Sequence, residues 1–568
     1  METLKTRVAV AAGEIPADRV LRGGRVVNVF SGRIREADVA VSGGVIAGVG
    51  PKYHGREEVD VSGRWIVPGL IDGHIHIEST LMTPPELARA LLVHGTTAIV
   101  SDPHEIANVM GMAGIRLLLR ESEGVPLDIF FMAPSCVPAT HLETAGAVLA
   151  ARDLDPLKAV PRVLGLAEMM NFPGVVSGDP GVLEKIALFE DRVLDGHCPG
   201  LSGPGLQAYV SAGIRSDHEI TGMTEGREKL DAGMMIMIRE GTSARNLADL
   251  LPLVTPLNAR RFCFVSDDLH PDDIVDRGHL DFMVKKAVRL GMDPVTALRL
   301  ATLNPAEYFG MKNRGAVAPG YRADLVVLDD LEDFRVADVY KDGRRAADLL
   351  SPAEAAGPAE PPGPLNMPVP EPSALRIPAK SGRARVMELV PGQIATRAVS
   401  LPVRTENGFV VPDVAADVLK LCVFERHRRS GRVGLGLVRG FGLRRGALAS
   451  SVAHDAHNVI AVGVTDADII AAAGTVREMG GGLCAAWDDR RVVLPLEVAG
   501  LMSGRPVKEL ARDLGRVRSA ARELGCGLGA PFMALSFLAL PVIPELKLTD
   551  RGLVDVNRFE IVPLFEAD

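Results

Sequence analysis

The chain has 568 residues, with 47% apolar, 24% charged and 4% aromatic side chains and a formal net charge of −9. That length exceeds one ordinary core and points to roughly two to four domains, and the composition is that of a soluble globular protein. An acidic balance with no long basic run excludes nucleic acid and anionic membrane as expected partners.

Six cysteines, at positions 136, 198, 263, 422, 484 and 526, show no paired framework and no Cys-x-x-Cys. They read as reduced thiols of a cytoplasmic protein. Met1 to Val20 holds no extended apolar segment, so no secretion signal is expected.

Residues 18–64 read as short strands with tight turns. Val20-Leu21 and Val26-Val27 flank Arg22-Gly23-Gly24-Arg25, and Val39-Ala40-Val41 leads into Ser42-Gly43-Gly44. Glycine pairs between β-branched runs are hairpin signals. The style returns at 315–345, where Ala323 to Leu328 reads as a strand. Both pieces flank a different middle, which predicts a discontinuous β-sandwich domain from residues 1–64 and 313–350.

The middle, 65–312, alternates strand-like and helix-like segments. The predicted strands are Ile66–Ile77, Thr96–Ser101, Asp128–Ala133, Val163–Glu168, Arg192–Gly196, Gly213–Asp217, Met234–Ile238 and Phe262–Ser266. Helices are predicted between them, at Glu86–His94, Val182–Asp191 and Gly203–Ser211 among others. Eight such units in about 250 residues have the size and rhythm of a TIM-like (β/α)8 barrel, an α/β fold whose chemistry sits at the C-terminal strand ends.

Those ends carry titratable or polar groups in turn: His74 with His76, Asp102 with His104, Ser135 with Cys136, Glu168, His197, His218, Arg239 with Glu240, and Asp267 with Asp268. His74 and His76, two residues apart on a strand, share a face. A lone His-x-His is weak evidence, because two surface histidines explain most cases. Glu168 stands among apolar neighbours, and a buried carboxylate needs a cation or strong hydrogen bonds. Together His74, His76, Glu168, His197, His218 and Asp267 suit one or two first-row divalent ions at the barrel mouth.

Residues 351–380, rich in Pro, Ala and Glu, read as a linker or wrapping arm. Residues 381–568 follow as a separate α/β or α+β domain, with strands at Val433–Val438 and Val459–Val464 and helices at Asp466–Met479 and Val507–Leu524. The apolar run Ala530–Pro544, broken by three prolines, is too short to span a bilayer and is expected to be buried.

These motifs carry a resemblance. Pro68-Gly69-Leu70-Ile71-Asp72-Gly73-His74-Ile75-His76, Thr302-Leu303-Asn304-Pro305-Ala306 and Gly320 to Val327 resemble the amidohydrolase superfamily. Within it, the chain resembles the bacterial adenine deaminases through His76-Ile77-Glu78-Ser79-Thr80, Ser101 to Val109, Ala167 to Asn171, Ser216-Asp217-His218-Glu219, Ser451 to Asn458 and Phe532 to Pro544. The resemblance spans nearly the whole chain.

It implies a dinuclear Mn or Fe centre that hydrolyses adenine to hypoxanthine and ammonia, in a homo-oligomer expected to be a dimer. Ligand type alone equally permits Zn. Two carboxylates suit the proton traffic such a reaction needs, with Glu168 expected to deliver a proton towards N1 and Asp267 to take one from the metal-bound water and pass it to the amine. Whether Glu168 is ligand, shuttle or both stays open at this level. Asp102, His104, Glu219, Arg239 and Glu240 are candidates to contact the purine ring. So is His457, in a polar knot with His454, Asp455 and Asn458 that reads either as a lid over the mouth or as a turn-capping network. The rival expectations are another amidohydrolase, acting on a different base or cyclic amide, and a non-catalytic barrel.

Overall fold

The computed structural model describes residues 2–350, 363, 365–380 and 383–566. At its centre run parallel strands β1 (Leu70–Ile75), β2 (Thr96–Ser101), β3 (Asp128–Ala133), β4 (Val163–Met169), β5 (Val193–Gly196), β6 (Ser216–Asp217), β7 (Met235–Arg239) and β8 (Phe262–Val265). β1 to β5 form a five-stranded sheet in chain order, and β6 to β8 a three-stranded one. Backbone bonds join their edges, from Arg215 N to Leu194 O at 3.2 Å and from Asp267 N to His74 O at 3.0 Å.

Both faces of these strands are covered, which is why they read as near-continuous apolar runs. Ile71, Ala98, Val100, Met132, Ala167, Met235, Met237, Cys263 and Val265 pack against one another across the two sheets. Helices such as Pro84–Leu92, Pro180–Leu188 and Gly203–Ser211 occupy the intervals where helices were expected.

The first expected strand, Ile66–Ile77, is two. Trp65–Pro68 leaves at Gly69 to pair antiparallel with Leu325–Asp330, placing Val67 opposite Val326. A Cβ on Gly69 would lie 2.2 Å from Thr97 Oγ1, so the chain passes at a distance that only glycine allows. The expected turn at Arg22–Arg25 is absent, and Ala17–Val27 is one strand with a bulge between Leu21 and Gly24. The Gly23 N–H donates to Asp38 Oδ1 at 3.0 Å, which holds that bulge open. Gly43 and Gly44, with φ of 59° and 77°, do turn Ile34–Ser42 into Val45–Gly50. Strands from both flanks of the middle thus share one eight-stranded sheet.

The C-terminal region is built on a second eight-stranded sheet, accompanied by smaller two- and three-stranded ones, and alternation along the large sheet's strands serves two cores. Leu421, Val423, Ile460 and Val462 belong to the core shared with helix Val507–Glu523 and the parallel strands. Cys422, Phe424, Val459 and Ala461 face helix Asp466–Glu478. Of the Pro-rich stretch, 351–362 and 364 lie outside the described residues. The part that follows wraps this domain, with Met367 and Leu375 buried in the second core. Pro531–Phe537 is a short helix, and most of the apolar run around it is buried. Among the described residues, no helix is long and apolar enough to cross a membrane.

Hydrogen bonds seat the C-terminal domain on the loop that follows β3. Asn458 Nδ2 donates to Thr144 O at 2.9 Å, the Thr144 N–H to Asp550 Oδ1 at 2.8 Å, and Thr549 Oγ1 to Leu142 O at 2.7 Å.

Candidate metal centre

Six side chains from β1, β4, β5, β6 and β8, or the residues just beyond them, meet in one buried place; His74, His76, Glu168, His197, His218 and Asp267 are each no more than 4% exposed. His74 ends an apolar strand and His76 follows it, so their rings turn to the same side, with Nε2 atoms 3.2 Å apart. Each ring has its other nitrogen committed. His74 Nδ1 lies 3.2 Å from Asp195 Oδ2, and His76 Nδ1 lies 3.1 Å from the Asp102 carbonyl oxygen. Since an imidazole must donate to either oxygen, the neutral rings leave both Nε2 atoms as lone pairs facing each other. That is a repulsive arrangement unless a cation lies between them.

The carboxylates complete two groups. Glu168 Oε1 is 3.3 Å from His76 Nε2, and Asp267 Oδ1 is 3.1 Å from the same atom. Glu168 Oε2 is 2.7 Å from His197 Nδ1 and 3.3 Å from His218 Nε2. One carboxylate therefore spans the His74–His76 half and the His197–His218 half. Glu168 Oε2, the oxygen facing His197 Nδ1 and His218 Nε2, is buried without a well-aligned hydrogen-bond partner, a condition that costs about 1–3 kcal/mol. Hard and borderline divalent ions are what such a nitrogen and oxygen set accepts.

Asp267 sits at φ 57°, in the left-handed region that Asp tolerates better than most residues. The turn aims its carboxylate back at His76, while Arg239 Nη1 lies 2.5 Å from its Oδ2. Burial opposes ionisation of Asp267, but Arg239 and the imidazoles of His218, His76 and His74 outweigh it and hold the carboxyl well below its usual range. Glu168 is likewise held well below its ordinary value by His218 and His197, against burial. Burial alone would strip His74 of its charge; Asp195, Glu168 and Asp267 instead push it up to about 9. In physical terms, the cluster gathers positive charge.

The amidohydrolase family model matches residues 65–346, and the model described as the adenine deaminase C-terminal domain matches residues 393–560. The chain is 52% identical to the adenine deaminase of Desulfatibacillum aliphaticivorans, across 98% of this chain and 99% of that one. It is 48% identical to adenine deaminase 2 of Carboxydothermus hydrogenoformans, across 99% of this chain and 100% of that one. The chain belongs to the adenine deaminase family. It is accordingly a hydrolase acting on C–N bonds, with a divalent metal cofactor.

Around the centre the residues expected to meet substrate divide. His104 lies beside it, Nδ1 being 2.9 Å from Asp102 Oδ2 and 3.7 Å from Glu168 Oε1. Glu219 is 3.7 Å from His218 Nε2 and also pairs with Arg239. Arg239 is held by three carboxylates, Glu219, Asp267 and Asp268, the last at 2.9 Å. It therefore positions the acids around it. Glu240 turns elsewhere: its carboxylate pairs with Lys286 at 2.7 Å and lies 3.6 Å from Arg277. The expectation that Glu240 contacts the ring is thus corrected, because alternation along β7 puts its neighbour Arg239 on the site side. Ser135 does not enter the cluster; its hydroxyl bonds the Glu168 carbonyl oxygen. His457 lies in a second group with Glu105 and His454.

Two residues escaped the sequence reading. Asp195 orients His74. Asp72 accepts from the Ser266 hydroxyl at 2.5 Å and lies 3.0 Å from His279 Nε2, tying β1 to the turn that carries Asp267. The available signal was a carboxylate inside an otherwise apolar strand, which needs a partner when buried.

Proposed function

We infer that this chain hydrolyses adenine to hypoxanthine and ammonia, at a dinuclear centre held by His74, His76, Glu168, His197, His218 and Asp267. The observation that carries the reading is the pair of Nε2 atoms 3.2 Å apart, with Glu168 presenting one oxygen to each half of the cluster. The edge bonds between the two parallel sheets support a closed (β/α)8 barrel at 65–312, with the small β domain from 1–64 and 313–350, the linker at 351–380 and the C-terminal domain at 381–568. Mn or Fe is the expected metal, with Zn an alternative permitted by the same donors.

Divalent ions held by these six residues would lower the pKa of water towards about 7 and so supply hydroxide at neutral pH. The side chains do the rest. Asp267, ionised and oriented by Arg239, accepts the proton of the attacking water and passes it to the exocyclic nitrogen, which leaves C6 as ammonia. Glu168 relays the water's other proton towards N1, so that the ring nitrogen does not have to carry negative charge as C6 becomes tetrahedral. Asp102 and Glu219 hold His104 and Arg239 in place around that carbon. The six cysteines, all buried and unpaired, support a reducing compartment, the cytoplasm.

The test is ammonia release from adenine, adenosine and cytosine by protein reconstituted with Mn, Fe or Zn. Turnover confined to adenine is the expected result. Fully metallated protein that leaves adenine intact would overturn the assignment.

A further inference from the structure

The C-terminal domain brings a second polar group to the wall of this site. Asp455 Oδ1 lies 3.6 Å from His104 Nε2, on the side of that ring away from its 3.7 Å approach to Glu168. His454 Nδ1 is 3.8 Å from Glu105 Oε1, and His457 Nε2 is 3.6 Å from Glu105 Oε2. Ser79 Oγ ties Glu105, at 2.7 Å, to Asp268, at 2.6 Å. All are buried.

Four atoms of this group have no hydrogen-bond partner: Glu105 Oε2, His454 Nε2, Asp455 Oδ2 and His457 Nε2. Buried polar atoms are nearly always paired, so a concentration of unpaired ones beside a reaction centre marks the place of a polar ligand. A third cation is the first candidate, and the local bonding argues against it. The Ala453 N–H donates to His457 Nδ1 at 3.2 Å. Burial keeps this ring uncharged, so its one proton is on Nε2. That atom is a donor and offers no lone pair. The group therefore holds a donor at His457 and an acceptor at Asp455, the two functions that a molecule carrying both acceptor and donor nitrogens would engage.

Adenine has such an edge. With C6 at the metal centre, N3 and N9–H lie on the far side of the ring, one accepting and one donating. We propose that the C-terminal domain reads this edge, with Asp455 accepting from N9–H and His457 Nε2–H donating to N3, supported by Glu105 and His454, so that the free base is admitted and the nucleoside excluded. The inference rests on the adenine reading of the site. A nucleoside replaces the N9 proton by a sugar, leaving Asp455 unpaired and forcing bulk into a buried wall. Sites built to hydrogen-bond a substrate group reject analogues lacking it by about 10⁴- to 10⁵-fold.

The test compares adenine with 9-methyladenine in wild type, Asp455→Asn and His457→Gln, each with metal content measured. Wild type is expected to favour adenine strongly. Asp455→Asn should lower kcat/KM for adenine about 10- to 100-fold, mainly through KM, with metal retained and any slow turnover of 9-methyladenine unchanged. His457→Gln should behave alike for adenine and lose its effect on 3-deazaadenine, which lacks the contacted nitrogen. Equal losses on adenine and 9-methyladenine, unaltered kinetics, or a third bound ion that disappears in His457→Gln would overturn the proposal. Wild type that ignores adenine altogether would instead overturn the deaminase reading beneath it.

Discussion

Asp195→Asn is expected to weaken metal retention before it alters chemistry. One oxygen of Asp195 accepts from the Gly196 N–H at 3.1 Å and from the Ser216 hydroxyl, while the other faces His74 Nδ1 at 3.2 Å. In the amide variant those two donors hold the remaining oxygen where it is, so the NH2 group turns towards His74. The ring must then accept at Nδ1 and carry its proton on Nε2, the atom that faces the ion site. Returning it to the useful tautomer sacrifices a charge-assisted hydrogen bond of about 1.5–3 kcal/mol, or roughly 10- to 100-fold in affinity. Both partners are 1% exposed, so water does not relieve the mismatch. The assay is metal content after stepwise dialysis against a chelator, with circular dichroism to confirm folding and kcat measured at saturating metal. A folded variant that keeps its metal as firmly as wild type would refute the tautomer argument.

Glu168→Gln should reduce adenine turnover by about 10²- to 10⁴-fold, the usual worth of a placed acid or base, and near-normal turnover at any metal content would remove Glu168 from the proton path. Chelation should abolish ammonia release and lower the thermal midpoint, because the buried imidazoles and carboxylates lose their common partner; activity that survives complete metal removal would contradict the centre. Burial pushes Lys547 down to about 7, although its Nζ donates to Ile394 O at 2.8 Å and Phe537 O at 2.9 Å. Between pH 7 and the ~10.4 of an exposed lysine, the unfolded chain holds a proton that the folded chain does not, so stability should rise with pH there by up to about 1.4 kcal/mol per unit. Lys547→Met should flatten that slope in urea titrations across pH, and an unchanged slope would show that the carbonyls keep the amine charged.

Much of the central fold was legible because both faces of its strands are apolar. Thr96–Ser101 and Asp128–Ala133 fall where the apolar runs place them, with the polar Asp102 and Ser135 a short way beyond their ends. Legibility failed where one residue type serves two geometries. Gly23-Gly24 carries the same letters as Gly43-Gly44, yet one makes a bulge and the other a turn, because Asp38 captures the Gly23 N–H from another strand. Likewise Gly69 splits what reads as one strand, since contact with Thr97 is not a local property. At the site, histidines after strands announced themselves through ligand chemistry. Asp195 and the orientation of Glu240 did not, because each depends on a partner far along the chain: His74 for one, Lys286 for the other.

The pairing of Val67 with Val326 bears on how the molecule forms. An entire catalytic unit is threaded between two neighbours in one sheet. During synthesis, the edge presented by Trp65–Pro68 waits for residues made hundreds of positions later, and contacts of such separation slow folding. Until they arrive, that unpaired rim is a place where nascent chains can stick to one another. Once formed, the same pairing staples the two ends of the parallel-strand region together, so thermal unfolding of the small sheet and of that region should occur in a single cooperative step.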